Sequence, residues 1–132
     1  MVMFLMIYVF FMLYYNKFTI KYIMQIRELN LKELYTVYDV VVQHFSELSY
    51  KEFEDIIYDM RHMEYKMLGV MEGEELLCYA GVAIQTSLKH KRHLKVFEIV
   101  LDKKSETKYL QEMKSYLEDY AKMGMCNGVI YT

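Results

Sequence analysis

Glu98 is the residue best suited to acid–base chemistry, because it is the lone carboxylate in the mostly apolar stretch Leu94–Leu101 (LKVFEIVL). General-base catalysis would require Glu98 to face a cleft and to have a raised pKa. Side chains alternate along a strand, so Glu98 is expected on the face opposite Phe97 and Ile99. A carboxylate that is simply solvated is the alternative, and the residues alone leave both open.

The densest basic cluster is Lys89–His93 (KHKRH), which suits a phosphate or an acidic partner. An exposed hairpin turn is the simpler interpretation. His90 and His93 lie three residues apart, but no carboxylate or cysteine cluster accompanies them, so we expect no metal site. Cys78 and Cys126 lie among apolar residues without a neighbouring His or Asp, which predicts buried free thiols in a reducing compartment.

Composition and motifs narrow the function classes. The 132 residues suit one domain, and 16 basic residues oppose 18 acidic ones, for a formal net charge of −2. We therefore expect no nucleic-acid partner, which would need clustered Lys and Arg. The sequence contains no G-x-S-x-G, Walker, H-E-x-x-H or C-x-x-C motif, so hydrolase, nucleotide-triphosphatase, zinc-protease and thioredoxin functions lack support.

Residues 1–23 differ from the rest of the chain in composition. Met1–Tyr15 carries no charge, and Lys17 and Lys21 are the only charged residues in the remainder of the segment. A spanning helix needs about 20 apolar residues, and a secretory signal would have positive residues before the apolar run. Three interpretations stay open: a marginal membrane anchor, an extra strand or helix packed on the domain, or an upstream extension before Met24. If the segment inserts, the two lysines favour a cytoplasmic domain, and any membrane contact is expected only through residues 1–23.

The pattern from residue 24 onward predicts the order β-α-α-β-β-β-α-β. Asn30 with Glu33, and Ser49 with Glu52, have the spacing of helix capping boxes. The first helix is expected to bury an apolar stripe, consisting of Leu31, Leu34, Tyr35, Tyr38, Val41, Val42 and Phe45. The second helix is expected to bury Phe53, Ile56, Ile57 and Met60.

The strands are expected at 25–29, 65–71, 76–84, 94–101 and 128–132, with a hairpin loop at 72–75 and a polar, basic turn at 85–93. The last helix is expected from Ser105 to Met123, with Gly124 at its C-terminal cap. Its predicted buried stripe is Leu110, Met113, Leu117, Tyr120 and Ala121. The predicted class is α+β, with a central, mostly antiparallel sheet flanked by helices and a last strand returning beside it.

This order resembles the first four-fifths of the GNAT superfamily of acyl-CoA N-acetyltransferases. The phrases that carry the resemblance are IRELNLKELYTVYDVV (26–41), LSYKEFEDIIYDM (48–60), CYAGVAI (78–84) and YLEDYAKMGMCNGV (116–129). The resemblance covers residues 25–132 and implies a GNAT-like domain at 24–132. The superfamily usually continues into a further helix and β-hairpin that complete the acceptor site and often carry a tyrosine general acid, and both would be lacking after Thr132.

The resemblance also implies where acetyl-CoA would bind. In that family the fourth strand pairs with the pantetheine arm, which maps to the residues Ile99, Val100 and Leu101. A loop of the form R/Q-x-x-G-x-G/A then presents amides to the pyrophosphate at a helix start. This maps to the residues Ser105, Glu106, Thr107, Lys108, Tyr109 and Leu110.

The cofactor loop departs from the family pattern because no glycine lies between Gly81 and Gly124. Side chains at former glycine positions crowd a ligand, and Glu106 brings a carboxylate near the phosphates, so weakened acetyl-CoA binding is expected. The lysines at 103, 104 and 108 would supply countercharge, and Ser105 or Thr107 would cap the helix. In the same resemblance Lys89–His93 would reach the adenosine 3′-phosphate.

The implied activity is acetyl transfer from acetyl-CoA to a small-molecule or protein amine, with Glu98 relaying a proton from that amine. Three alternatives stay open: a non-catalytic GNAT-like binding domain, a truncated inactive fragment, and a membrane-tethered version anchored by residues 1–23. A homodimer is a further open alternative.

Overall fold

The computed structural model describes residues 24–132, so the three interpretations of residues 1–23 lie outside the described residues. The elements are β1 (Met24–Leu29), α1 (Leu34–Val41), α2 (Tyr50–Met60), β2 (Lys66–Glu72), β3 (Glu75–Ser87), β4 (Lys91–Leu101), α3 (Lys108–Met123) and β5 (Val129–Tyr131). Single 3₁₀ turns precede α1 and follow α2. The predicted order is confirmed. Within this part of the chain, no helix is both long and apolar enough to cross a membrane.

The five strands form one sheet in the order β1-β2-β3-β4-β5. The first four pair antiparallel, and β5 pairs parallel with β4. One face packs against α1 and α2 around Val37, Phe53 and Tyr79, and the other face packs against α3 around Met113 and Leu117. The α+β class with a returning last strand is therefore confirmed.

Two predicted helix caps are present. The Lys32 amide donates to the Asn30 side chain at 2.9 Å, and the Asn30 amide donates to the Glu33 carboxylate at 3.1 Å. At α2, the Glu52 amide donates to the Ser49 hydroxyl at 3.1 Å. Each cap satisfies backbone donors that a helix start leaves free, and a cap of this kind is typically worth about 1 kcal/mol. These local signals mark the start of the 3₁₀ turn that leads into α1 and the start of α2.

The predicted extent and buried stripe of the first helix are wrong in part. Regular helix ends at Val41, whereas the stripe was expected to continue to Phe45. Tyr35 and Phe45 are exposed, while Val37 and Val40 are buried. On α2, Ile56 is also exposed rather than buried. Phe45 and Ile56 line a cleft instead of the core, because the chain leaves the helix after Val41 and residues 44–48 form part of the wall of that cleft.

The start of the last helix also differs from the prediction. α3 begins at Lys108 rather than Ser105, because Ser105 first closes a turn by donating its amide to the Asp102 carbonyl at 2.9 Å. Thr107 occupies the cap position, but neither it nor Ser105 caps the helix through its side chain. The predicted C-terminal cap at Gly124 is confirmed.

The polar, basic turn is shorter than predicted, because β3 extends to Ser87 and β4 begins at Lys91. Only residues 88–90 connect the two strands. The interpretation of Lys89–His93 as an exposed turn is wrong for His93, which is only 5% exposed and has its Nδ1 2.9 Å from the Lys91 carbonyl oxygen. No group of metal-binding side chains occurs among residues 24–132. Cys78 is a buried free thiol as predicted, and burial raises its pKa to about 12, whereas Cys126 is half-buried.

Candidate active site

A β-bulge in β4 determines where Glu98 points. Gly81 of β3 lies opposite Glu98, but the next residue, Val82, lies opposite Val96, so Phe97 is an extra residue in β4. Phe97 consequently packs with the α1 and α2 side of the sheet, whereas Ile99 packs with the α3 side. The expectation that Phe97 and Ile99 share the face opposite Glu98 is therefore wrong for Phe97. Bulges commonly redirect a side chain beside an active site.

Glu98 is held by two buried tyrosines. The Tyr65 hydroxyl donates to the Glu98 carboxylate, and the hydroxyls of Tyr65 and Tyr79 are hydrogen-bonded to each other. Tyr65 and Tyr79 are 7% and 1% exposed, so this group is largely shielded from water. Gly81 makes the arrangement feasible, because a Cβ at that position would overlap both the Tyr65 hydroxyl and the Glu98 carboxylate. A glycine inside a strand often marks such a close approach.

The electrostatic state of Glu98 follows from its surroundings. Burial raises the pKa of the Glu98 carboxyl above its usual value, and hydrogen bonds from Tyr65 and Tyr79 oppose that shift without cancelling it. Burial also raises the pKa of both tyrosines, so each stays protonated and able to donate. The alternative of a simply solvated Glu98 is wrong. Its catalytic role stays a prediction, with the cleft position and raised pKa that such a role requires.

Glu98, Tyr65 and Tyr79 form the floor of a cleft with a volume of about 660 Å³. The end of α1, the segment between α1 and α2, and one side of α2 form its walls. The wall residues are Val41, His44, Phe45, Ser46, Glu47, Leu48, Glu52, Phe53, Ile56, Ile57 and Met60. The cleft thus combines mostly apolar walls with a few polar side chains, which is typical of small-molecule sites.

The edge of β4 beside this cleft is open. β5 pairs only with Leu94–Val96, and the Thr132 amide then donates to the Val96 carbonyl at 3.2 Å. Among the described residues, no strand pairs with Glu98–Leu101 on the side away from β3. An open strand edge is able to pair with an extended chain. Ile99, Val100 and Leu101, the residues predicted to meet the pantetheine arm, all lie on this stretch.

The loop before α3 has its own support from Gln43. The Gln43 side-chain amide donates to the Asp102 carboxylate at 2.6 Å and accepts from the Lys103 amide at 2.8 Å. The amides of Lys104 and Ser105 donate to the Asp102 side chain and carbonyl at 3.2 and 2.9 Å. These contacts stabilise the loop.

The next three amides are different. Within the part of the chain that the structure describes, the amides of Glu106, Thr107 and Lys108 donate to no protein acceptor. Free amides at the start of a long helix, together with the helix dipole, form an anion site. This arrangement occurs here without the glycines that the family pattern would supply.

The side chains around these amides leave them accessible. Glu106, Thr107 and Lys108 are all exposed. The Lys108 ammonium lies 3.6 Å from the Glu106 carboxylate, which offsets part of the negative charge of that group, and 5.1 Å from the Tyr109 ring centre. The residues at this helix start therefore fit the chemistry of a diphosphate.

Tyr65, Tyr79 and Gly81 were not predicted as site residues. A signal for them existed in the sequence, because Gly81 interrupts the apolar strand around Tyr79, and such a glycine suggests a bulge or a close contact. Nothing in the sequence indicated that Tyr65, at the start of a different strand, would supply the contact. That pairing depends on the strand register, in which Gly81 lies opposite Met67 of β2, two residues after Tyr65.

Comparisons with known proteins identify the fold. No family model and no curated protein sequence matches the chain. Among solved structures, a GNAT family acetyltransferase from Staphylococcus aureus superposes with a TM-score of 0.70 at 9% identity, covering 83% of this chain and 85% of that one. The ribosomal-protein-alanine N-acetyltransferase of Brucella melitensis gives a TM-score of 0.68 at 13% identity over 83% and 80% of the two chains.

A third structure, a predicted acetyltransferase from Clostridium acetobutylicum with acetyl-CoA, gives a TM-score of 0.64 at 12% identity over 83% of this chain and 80% of that chain. Residues 24–132 therefore have the GNAT fold, as the sequence resemblance predicted. Identities this low establish the fold alone.

Proposed function

We propose that this protein is an N-acetyltransferase that transfers the acetyl group of acetyl-CoA to an amine. The observation that carries the proposal is the position of Glu98, a carboxylate with a raised pKa at the floor of a cleft and next to the open edge of β4. A base, an acceptor cleft and a strand edge for the donor thus meet at one place. The GNAT fold supports the same activity by analogy.

Glu98 acts as the general base in this proposal. An amine that enters as an ammonium ion cannot attack, so Glu98 takes one of its protons and leaves a lone pair on nitrogen. The raised pKa of Glu98 makes it a stronger base than an ordinary glutamate. The Tyr65 hydroxyl bonded to it orients the carboxylate toward the cleft.

The residues that would hold acetyl-CoA lie along β4 and at the start of α3. Backbone groups of Ile99 and Leu101 are the candidates for the pantetheine arm, and the amides of Glu106, Thr107 and Lys108 are the candidates for the pyrophosphate. Acetyl-CoA supplies an activated acetyl carbonyl when it is bound. The chain's own contribution is to align that carbonyl with the amine above Glu98.

Two measurements on the full chain test the proposal. Calorimetry should detect acetyl-CoA binding with a Kd below about 1 mM, which corresponds to about −4 kcal/mol. A thiol-release assay with a panel of amines, checked by mass spectrometry of the products, should detect acetylated amine. Binding without any product would favour a non-catalytic domain, and the absence of both binding and product would refute the proposal.

A further inference from the structure

We propose that the cleft above Glu98 accepts a small primary amine, bound as a cation, whose carbon body is apolar and preferably aromatic. The inference rests on the proposed function in one respect, since it takes Glu98 as the group that meets the amino nitrogen. It goes beyond that function by naming the acceptor class.

The size and walls of the cleft favour a small apolar body. Its volume of about 660 Å³ falls within the roughly 300–1,000 Å³ of small-molecule sites. Phe53 and Ile57 form a buried inner wall, whereas Phe45 and Ile56 at the mouth are 49% and 45% exposed. Exposed apolar side chains that line a concave surface are what an apolar ligand would cover.

The charges of the cleft favour a cation. Glu47 and Glu52 lie on the walls and Glu98 lies on the floor, and the lining residues, all within the described part of the chain, include no Lys or Arg. His44 is the one lining residue that could add a positive charge. Three carboxylates attract an ammonium ion and repel a ligand carboxylate or phosphate.

The same walls disfavour other amines. An amino sugar carries several hydroxyls, and the apolar side chains of the cleft walls would leave many of them without hydrogen-bond partners. An amino acid of the same shape as an arylalkylamine carries a carboxylate that the glutamates would repel. The cleft is therefore expected to distinguish primary amines by the rest of the molecule, although the reacting amino group is the same.

Calorimetry on the full chain, with and without CoA, tests this with four compounds. 2-Phenylethylamine should bind at least about tenfold more tightly than phenylalanine, glucosamine or the neutral 2-phenylethanol. Phenylalanine adds a carboxylate, glucosamine lacks the apolar body, and 2-phenylethanol lacks the positive charge. A preference for glucosamine or phenylalanine overturns the inference, and so does the absence of 2-phenylethylamine binding under both conditions.

Substitutions inside the cleft test the ligand site, and substitutions outside it serve as controls. Ile56→Ser and Glu47→Gln should each weaken 2-phenylethylamine binding by about threefold or more, since one removes apolar contact and the other removes a carboxylate. Met123→Ser and Glu74→Gln replace an apolar residue and a glutamate at exposed positions outside the cleft and should leave binding unchanged. Cleft variants that bind like the wild type would place the ligand elsewhere.

The inference and the proposed function fail in different ways. If 2-phenylethylamine binds but no amine of the panel is acetylated, the ligand class stands and the proposed function is refuted. If acetyl transfer occurs but prefers glucosamine or the N-terminal amine of a peptide, the proposed function stands and the ligand class is refuted.

Discussion

Gly81 lies directly opposite Glu98 in the register of β3 and β4, and the two residues depend on each other. Because Gly81 has no side chain, the Glu98 carboxylate and the Tyr65 hydroxyl meet in the space that a Cβ would occupy. The β-bulge at Phe97, the residue directly before Glu98, turns Glu98 toward the cleft. Gly81 thus leaves the space that Glu98 occupies, and Glu98 is the only carboxylate on the cleft floor among the described residues.

Replacing Gly81 should therefore disturb both stability and activity. Gly81→Ala is expected to lower the free energy of unfolding by about 1–3 kcal/mol, because the new methyl group must displace Tyr65 or Glu98. Acetyl transfer should fall in the same variant. Chemical denaturation and the thiol-release assay measure the two effects.

Gly128→Ala is the matched control, since an added Cβ at Gly128 meets nothing within 4 Å. This variant should stay within about 0.5 kcal/mol of the wild type. Equal stability of the two alanine variants would mean that Gly81 is not needed for the close approach of Tyr65 and Glu98.

Removing the proposed base should affect transfer and leave donor binding unchanged. Glu98→Gln preserves the shape of the side chain and is expected to lower kcat by a factor between about 10² and 10⁴, the range for loss of one acid–base group. Acetyl-CoA affinity, measured by calorimetry, should not change. Glu118→Gln, an exposed position on α3, serves as the control. Transfer at the wild-type rate in Glu98→Gln would exclude Glu98 as the base.

The raised pKa of Glu98 has consequences for stability and for rate. In the folded state burial favours the protonated carboxyl, so the folded chain binds more protons than the unfolded chain between the usual glutamate pKa and the raised one. The contribution of Glu98 to stability should therefore be greatest below the usual pKa and fall as pH rises through the raised value. Activity should rise over the same window, because the base must be ionised.

The Glu98→Gln variant isolates these effects, since glutamine does not titrate. The difference in unfolding free energy between wild type and variant should change across that window and be constant above it. A difference that does not vary with pH would mean that the Glu98 carboxyl has an ordinary pKa in the folded state.

Much of the fold could be predicted because its signals are local. The capping pair Asn30–Glu33 marks the 3₁₀ turn before α1, and Ser49–Glu52 marks the start of α2, through contacts within three residues. Gly73, with its φ of 62°, marks the turn between β2 and β3. The order of the elements, and the fold class with it, followed from these signals.

The site was less accessible to sequence reasoning because it depends on register. Strict alternation along β4 misassigned Phe97, and a bulge is not visible in apolar periodicity. Glu98 was identified as a candidate, but its partner Tyr65 lies 33 residues earlier and reaches it across β3. Likewise, the free amides at 106–108 follow the turn that Asp102 and Gln43 stabilise in the loop. No motif in the sequence predicts that turn.

The most direct test of the account is whether the start of α3 binds a diphosphate without the glycines of the family pattern. Amide NMR spectra of the full chain, titrated with CoA, should show the largest shifts at Glu106, Thr107 and Lys108. The amides of Lys103 and Ser105 already donate to Gln43 and Asp102 and serve as internal controls that should move less. Spectra in which the amides of 106–108 do not respond to millimolar CoA would contradict donor binding at this helix, and acetyl transfer by this chain with it.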